Sequence, residues 1–198
     1  MSRFRHIIEK GSGLRVWVLF HGTGGTETDL IPIARRIDPA GAVFGIRGNV
    51  LENGMPRFFR RLTEGVFDEA DIRRQSAALA AFLKEAYAAN GFDAADCVAL
   101  GYSNGANIIS AINFQHPGLF GASVLLRPMV PVKPQATSGL EASRVLLLDG
   151  AWDPLSPPGE PERLMEAYRG MGANPDRASI QAGHNLTAQD LDAIAAWL

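Results

Sequence analysis

The sequence predicts an α/β fold: a mostly parallel sheet of about six to seven strands with helices on both faces. Three observations predict it. Short, nearly unbroken apolar runs such as Val16-Trp17-Val18-Leu19-Phe20 and Cys97-Val98-Ala99-Leu100 read as strands buried on both sides. Helix-length segments alternate with these runs along the whole chain. In Gly101-Tyr102-Ser103-Asn104-Gly105, a serine flanked by glycine two residues away on each side joins an apolar strand directly to a helix-compatible run.

Taken in order, Phe4 to Ile8 reads as a short edge strand and Gly11-Ser12-Gly13 as a turn. Leu14 to Phe20 is the first buried strand; it ends in His21-Gly22-Thr23-Gly24-Gly25, with a helix from about Asp29 to Ile37. Ala42 to Ile46 is the next strand. Arg47 to Asp68 reads as a long irregular loop, and its Phe58, Phe59 and Phe67 favour an ordered wall over a floppy linker. Asp71 to Asn90 is the clearest helix, with Ile72, Leu79, Phe82, Leu83 and Ala86 at helical spacing and Gly91 at its end. The strand Cys97 to Gly101, the serine turn and a helix from Asn104 to about Gln115 follow. Ala122 to Leu126 and Arg144 to Leu148 are strands separated by the proline-rich loop Arg127 to Gly139. Pro161 to Gly170 is a helix, Ala178 to Gln181 a last short strand and Ala188 to Leu198 a last helix.

Composition narrows the class. The 198 residues are 46% hydrophobic and 20% charged with a net charge of -2, an ordinary globular balance that suits one domain, 1–198. No basic tract suggests a nucleic-acid surface, and the longest apolar stretches are of strand length, so no membrane span is expected. The N-terminal residues lack the apolar core of a signal peptide, so the cytoplasm is the expected location. Cys97 is the single cysteine and sits in an apolar strand, which reads as a buried structural thiol. No Cys/His cluster or His-Glu-x-x-His is present, so a metal is not indicated.

The serine turn is the centre of the chemistry. A turn too tight for side chains at Gly101 and Gly105 would lift Oγ of Ser103 out of the sheet and set a helix N-terminus beside it. A serine hydroxyl is a poor nucleophile without a base. In parallel α/β folds active groups gather at the carboxyl ends of the strands. His184, in Ala182-Gly183-His184-Asn185-Leu186 just past the last strand, is the histidine in the position of that base. Asp153, in Gly150-Ala151-Trp152-Asp153-Pro154, is the acid that would fix the imidazole tautomer. Asp149 competes, but it abuts the apolar run Val145 to Leu148, whereas Asp153 stands further out where a loop can reach His184. His6 and His116 read as surface or capping residues, and His21 as a residue that shapes its glycine loop. An oxyanion hole would pair the amide of Asn104 with that of Thr23 in the early glycine loop. That loop lacks the full Gly-x-Gly-x-x-Gly and Gly-x-x-x-x-Gly-Lys patterns of nucleotide sites. Met55, Phe58, Phe59 and Trp152 are candidates to line an acyl or aromatic pocket, although each taken singly reads rather as core packing.

With these residues in hand, the chain resembles the serine α/β-hydrolases, and within them the small phospholipase/carboxylesterase family. The resemblance covers nearly the whole length: Phe20-His21-Gly22-Thr23-Gly24-Gly25, Arg47-Gly48-Asn49-Val50 with Asn53-Gly54-Met55, Gly101-Tyr102-Ser103-Asn104-Gly105, Gly150-Ala151-Trp152-Asp153-Pro154 and Gly183-His184-Asn185-Leu186. Glu52 to Arg61 and Leu126-Arg127-Pro128-Met129-Val130-Pro131 look like the bacterial branch associated with hydroquinone resistance. The order Ser103, Asp153, His184 is that of the α/β-hydrolases. The resemblance implies ester hydrolysis through an acyl-enzyme by that triad, a small-molecule ester substrate, no cofactor, no large lid domain, and a cytoplasmic bacterial enzyme. Homodimers occur in the family. Two positions depart from many relatives: Asn104 stands where a glutamine is common, and Gly25-Thr26 stands where an acidic residue is common. The related dienelactone hydrolases use a cysteine nucleophile, and Ser103 argues against membership there. Beside the carboxylesterase reading stand two others, a thioesterase or lysophospholipase and a catalytically silent binder of small aromatic compounds.

Overall fold

The computed structural model describes residues 4–63 and 65–198. Its centre is a seven-stranded sheet. Five strands end at the same edge and carry the site: β2 (Val16–Phe20), β8 (Cys97–Tyr102), β9 (Ala122–Leu126), β10 (Arg144–Gly150) and β11 (Asp176–Ile180), in that spatial order and mutually parallel. On the other side of β2 lies β3 (Ala42–Ile46), also parallel, and β1 (His6–Glu9) closes that flank as the antiparallel edge. The remaining strands form two small hairpins, β4 (Val50–Glu52) with β5 (Met55–Arg57), and β6 (Arg61–Thr63) with β7 (Val66–Phe67).

Side chains of successive strand residues point to opposite faces, so unbroken apolar runs supply two cores at once. Val18, Phe20, Ala99, Leu125 and Leu147 pack on one face against α2 (Glu69–Asn90), α3 (Asn104–Gln115) and α4 (Glu160–Arg169), through Leu79, Leu83, Ile109, Leu164 and Tyr168. Trp17, Leu19, Val98, Leu100, Val124 and Leu148 pack on the other against α1 (Ile31–Ile37) and α5 (Ala188–Trp197), through Ala34 and Ile194. The α2 N-terminus is capped by Asp68, whose carboxylate accepts from the Asp71 amide. Its C-terminus closes on Gly91 in the left-handed region. No helix among the described residues is long and apolar enough to cross a membrane.

Two differences from the sequence reading matter for function. The segment Arg47 to Asp68 is not irregular: it holds both hairpins, and β4–β5 turns through Asn53-Gly54, both at positive φ. An Asn-Gly pair between two strands is the signature of a two-residue hairpin turn. Strand β10 also runs on through Asp149 to Gly150 rather than stopping at Leu148. Asp149 therefore sits inside the sheet, opposite Ser179 of β11.

Candidate active site

Ser103 stands between β8 and α3 with φ 52 and ψ −112. A non-glycine residue at such a φ costs about 1–3 kcal/mol and persists where its surroundings over-determine it. Here the Ser103 amide donates to Leu126 O on β9 at 2.8 Å, and Ser103 O accepts from the Asn107 amide at 3.0 Å. The flanking glycines allow the close approach. A Cβ on Gly101 would lie 2.6 Å from the Gly105 carbonyl carbon, and one on Gly105 would overlap the Phe20 carbonyl of β2. The turn wedges the helix start against the sheet and leaves no room for either methyl.

His184 and Asp153 approach from the ends of β11 and β10. Nδ1 of His184 lies 2.8 Å from Asp153 Oδ2, and Asp153 Oδ1 accepts from the Leu155 amide at 2.9 Å. The Asp153 side chain is buried, whereas His184 keeps one edge accessible. A carboxylate at Nδ1 holds the proton on that nitrogen and leaves Nε2 as the basic one. The rival acid is otherwise engaged. Asp149 grips Arg177 through two oxygens, at 2.6 and 3.2 Å, and accepts from Ser179 Oγ at 2.9 Å. Hydrogen bonding to Asp149 raises the Arg177 guanidinium above its ordinary range.

The loop bearing His184 is clamped by a residue that the sequence reading did not single out. Arg127, the first residue after β9, has φ 53 and a fully buried side chain paired with fully buried Asp190 of α5 at 2.7 and 3.1 Å. Its Nε donates to Gly183 O at 2.9 Å and its Nη2 to Asn185 O at 3.1 Å, so it holds the carbonyls on both sides of His184. Asp190 also closes a capping box with Thr187 at the start of α5. The Tyr102 hydroxyl donates to His184 O at 3.1 Å, and its ring lies 5.3 Å from the imidazole.

The early glycine loop is fixed from outside. His21 is buried; it accepts at Nε2 from the Gly48 amide at 3.0 Å, so the proton sits on Nδ1 and bonds Gly22 O at 2.6 Å. Burial pushes its pKa below the ordinary histidine value. The Gly24 amide donates to Pro56 O at 2.9 Å and the Gly25 amide to Gly22 O at 3.1 Å. Thr23 donates its amide to no backbone acceptor among the described residues, and its Oγ1 accepts from Arg57 Nη1 at 2.7 Å. Asn104 Oδ1 accepts from the Phe58 amide at 2.8 Å and ties β5 to the start of α3. These elements enclose a cavity of about 270 Å³ that Thr23, Ser103, Asn104, Asp153 and His184 all line.

The overall fold is shared with known proteins. MhqD of Bacillus subtilis (strain 168), which bears the name of a hydrolase, is 40% identical over 193 residues, 98% of this chain and 96% of its own. The crystal structure of the Bacillus cereus carboxylesterase superposes with a TM-score of 0.94 at 40% identity, covering 98% of this chain and 92% of its own. That of the Mesorhizobium loti carboxylesterase does so with a TM-score of 0.92 at 32% identity, over 98% and 93%. The chain belongs to this carboxylesterase family. It is a serine hydrolase with the α/β-hydrolase fold, and its seven-stranded sheet carries no large lid among the described residues. No family model matches it.

The carboxylesterase departs from the sequence reading on its pocket wall. Phe58 and Phe59 are fully buried in the core, where the Phe58 ring packs on Phe20 and His21 and that of Phe59 on Phe67. Trp152 is 68% exposed and Met55 lies beside Gly24; neither lines the cavity. Phe67, Met129 and Leu155 supply the apolar wall instead, with Arg57 and Arg61 beside them. An aromatic in a loop gives no sign of which way it faces. Arg57 lies in the strand after the Asn-Gly turn, a local signal of a hairpin, whereas Arg61 opens the next one.

Proposed function

We propose that this carboxylesterase cleaves short esters through Ser103, His184 and Asp153, by way of an acyl-enzyme. The observation that carries the reading is the 2.8 Å approach of His184 Nδ1 to buried Asp153, in the cavity that also receives Ser103 from its strained turn. Nε2 of His184 takes the Ser103 proton as Oγ attacks the ester carbonyl. Charge on the carbonyl oxygen develops toward the amides of Thr23 and Asn104, the latter at the N-terminus of α3. Each such donor contributes about 3 kcal/mol in the transition state. Collapse of the tetrahedral intermediate breaks the bond to the alcohol, which leaves with the proton from His184. Water, activated by the same Nε2, then releases the acid and restores Ser103. Asp153 stabilises the imidazolium in both steps without taking the proton.

The cavity of about 270 Å³ stands near the lower end of small-molecule sites, which suits short substrates. The test is hydrolysis of p-nitrophenyl esters from acetate to palmitate by the wild type and Ser103→Ala. Turnover of the short members that vanishes in the variant is the expected result. Turnover that survives Ser103→Ala overturns the serine assignment, and a preference for palmitate overturns the short-substrate reading.

A further inference from the structure

Besides Arg127, two guanidinium groups share the cavity with Ser103. Arg57 ends β5 and Arg61 opens β6, and both line the space. The Arg57 side chain is 4% exposed, is set over the Phe59 ring at 5.7 Å, and donates Nε to Phe59 O at 3.2 Å and Nη1 to Thr23 Oγ1 at 2.7 Å. Its Nη2 has no partner among the described residues. Arg61 donates Nε to Glu52 Oε1 at 2.7 Å, and neither of its Nη groups has a partner among the described residues.

The charge count is uneven. Among the described residues a single carboxylate, Glu52, faces both guanidiniums, with Oε2 3.1 Å from Arg57 Nε and Oε1 on Arg61. On the sheet wall Arg127 is matched by Asp190, and the Asp153 carboxylate is hydrogen-bonded to the His184 imidazole. Among the described residues, the two guanidiniums of the hairpin wall therefore share one carboxylate. Burial pushes the Arg57 pKa down, yet a guanidinium stays protonated in proteins, so the charge persists where few waters can solvate it. A neutral substrate would leave it unanswered.

We propose that the substrate is a short ester that keeps a free carboxylate elsewhere in the molecule, and that the outer nitrogens of Arg57 and Arg61 bind this carboxylate. This deepens the hydrolase reading of Ser103 and rests on it. A planar monoanion matches the guanidinium fork and the one guanidinium that Glu52 leaves without a counter-charge among the described residues of this wall, whereas a phosphate monoester would bring nearly two. Phe67, Met129 and Leu155 cover the few carbons between the carboxylate and the ester. Thr23 links the two functions, since it touches Arg57 through Oγ1 and offers its amide to the reacting carbonyl.

The experiment compares two ester pairs matched in size: 4-acetoxybenzoate with its methyl ester, and monomethyl succinate with methyl pentanoate. Each is measured with the wild type, Ser103→Ala and Arg61→Gln. Arg61 sits on a partly exposed hairpin, so its variant should fold, and circular dichroism checks this. The expected result is kcat/KM about tenfold or more higher for the anionic member of at least one pair, with that ratio about tenfold lower in Arg61→Gln, through KM. The wild-type preference should also fall as ionic strength rises. Equal or faster turnover of both neutral members, or a ratio unchanged in Arg61→Gln, overturns the anionic assignment while leaving the hydrolase reading intact. No turnover of any of the four, or turnover that survives Ser103→Ala, overturns the hydrolase reading and this proposal with it.

Discussion

The cavity has two walls that are built differently. One is the carboxyl edge of the sheet, where Ser103, Arg127, Asp153 and His184 each follow a parallel strand and are fixed by backbone ladders and a buried ion pair. The other is the hairpin wall, where Arg57, Arg61 and Phe67 belong to two short ribbons that expose Leu51, Leu62 and Val66. The hairpins reach the sheet wall through a few polar links: Phe58 to Asn104, Gly24 to Pro56 and Arg57 to Thr23. Groups that must hold sub-ångström geometry stand on the over-determined wall. Groups that select a substrate stand on the wall that can be remodelled without disturbing the fold.

Breaking the sheet wall should cost the most. Asp153→Asn should lower kcat by about 10⁴-fold with the fold intact, because the imidazole would lose its tautomer and its counter-charge. Asp149→Asn should leave kcat within a few fold and instead weaken the anchoring of Arg177 on β11, which a urea midpoint would show. A large kcat loss in Asp149→Asn with none in Asp153→Asn would reverse the assignment of the two acids.

Next comes the clamp behind His184. Arg127→Met leaves Asp190 buried without its partner, and breaking such a pair costs about 3–5 kcal/mol. Activity should fall with stability, since the Gly183 and Asn185 carbonyls on either side of His184 lose their donor. A variant with normal stability and normal kcat would show that the loop holds His184 unaided.

The hairpin wall should give a smaller effect of a different kind. Asn104→Ala removes the acceptor for the buried Phe58 amide and should destabilise by about 1–3 kcal/mol. Its effect on activity should appear mainly in KM, because β5 and Arg57 would shift relative to Thr23. A kcat effect with unchanged KM would mean that Asn104 serves the reacting centre alone.

The smallest effect is a pH dependence at His21, which joins the glycine loop to the start of the hairpin segment. Its folded pKa lies below the ordinary value, so between the two values the unfolded chain binds more protons. Stability from this residue is therefore full above about pH 6.5 and is lost as pH falls toward the lowered folded pKa. His21→Gln should flatten that part of the stability profile relative to the wild type. An unchanged slope in the variant would assign it to another group.

Much of this was legible in the sequence. The runs Val16–Phe20 and Ala122–Leu126 read as strands covered on both sides, because they are of strand length and alternate with helix-length segments. The glycines around Ser103 declared a turn with no room for side chains, and the alternation of elements ordered the strand ends that carry Ser103, Asp153 and His184. The limits of local pattern explain the rest. Asp149 and Asp153 lie four residues apart near one strand end, and only the extension of β10 to Gly150, with Arg177 opposite on β11, engages one and frees the other. Phe58, Phe59, Arg57 and Arg61 form one mixed stretch. Only hairpin pairing, and the Asn104 link from a distant helix, turned the aromatics inward to the core and the arginines toward the cavity. Arg127 looked like the start of a proline-rich loop until the fold brought α5 and Asp190 against it. The sequence alone determined what is local and periodic: strands, turns and the order of reactive groups. The tertiary structure decided which charge meets which, because that depends on contacts between residues far apart in the chain.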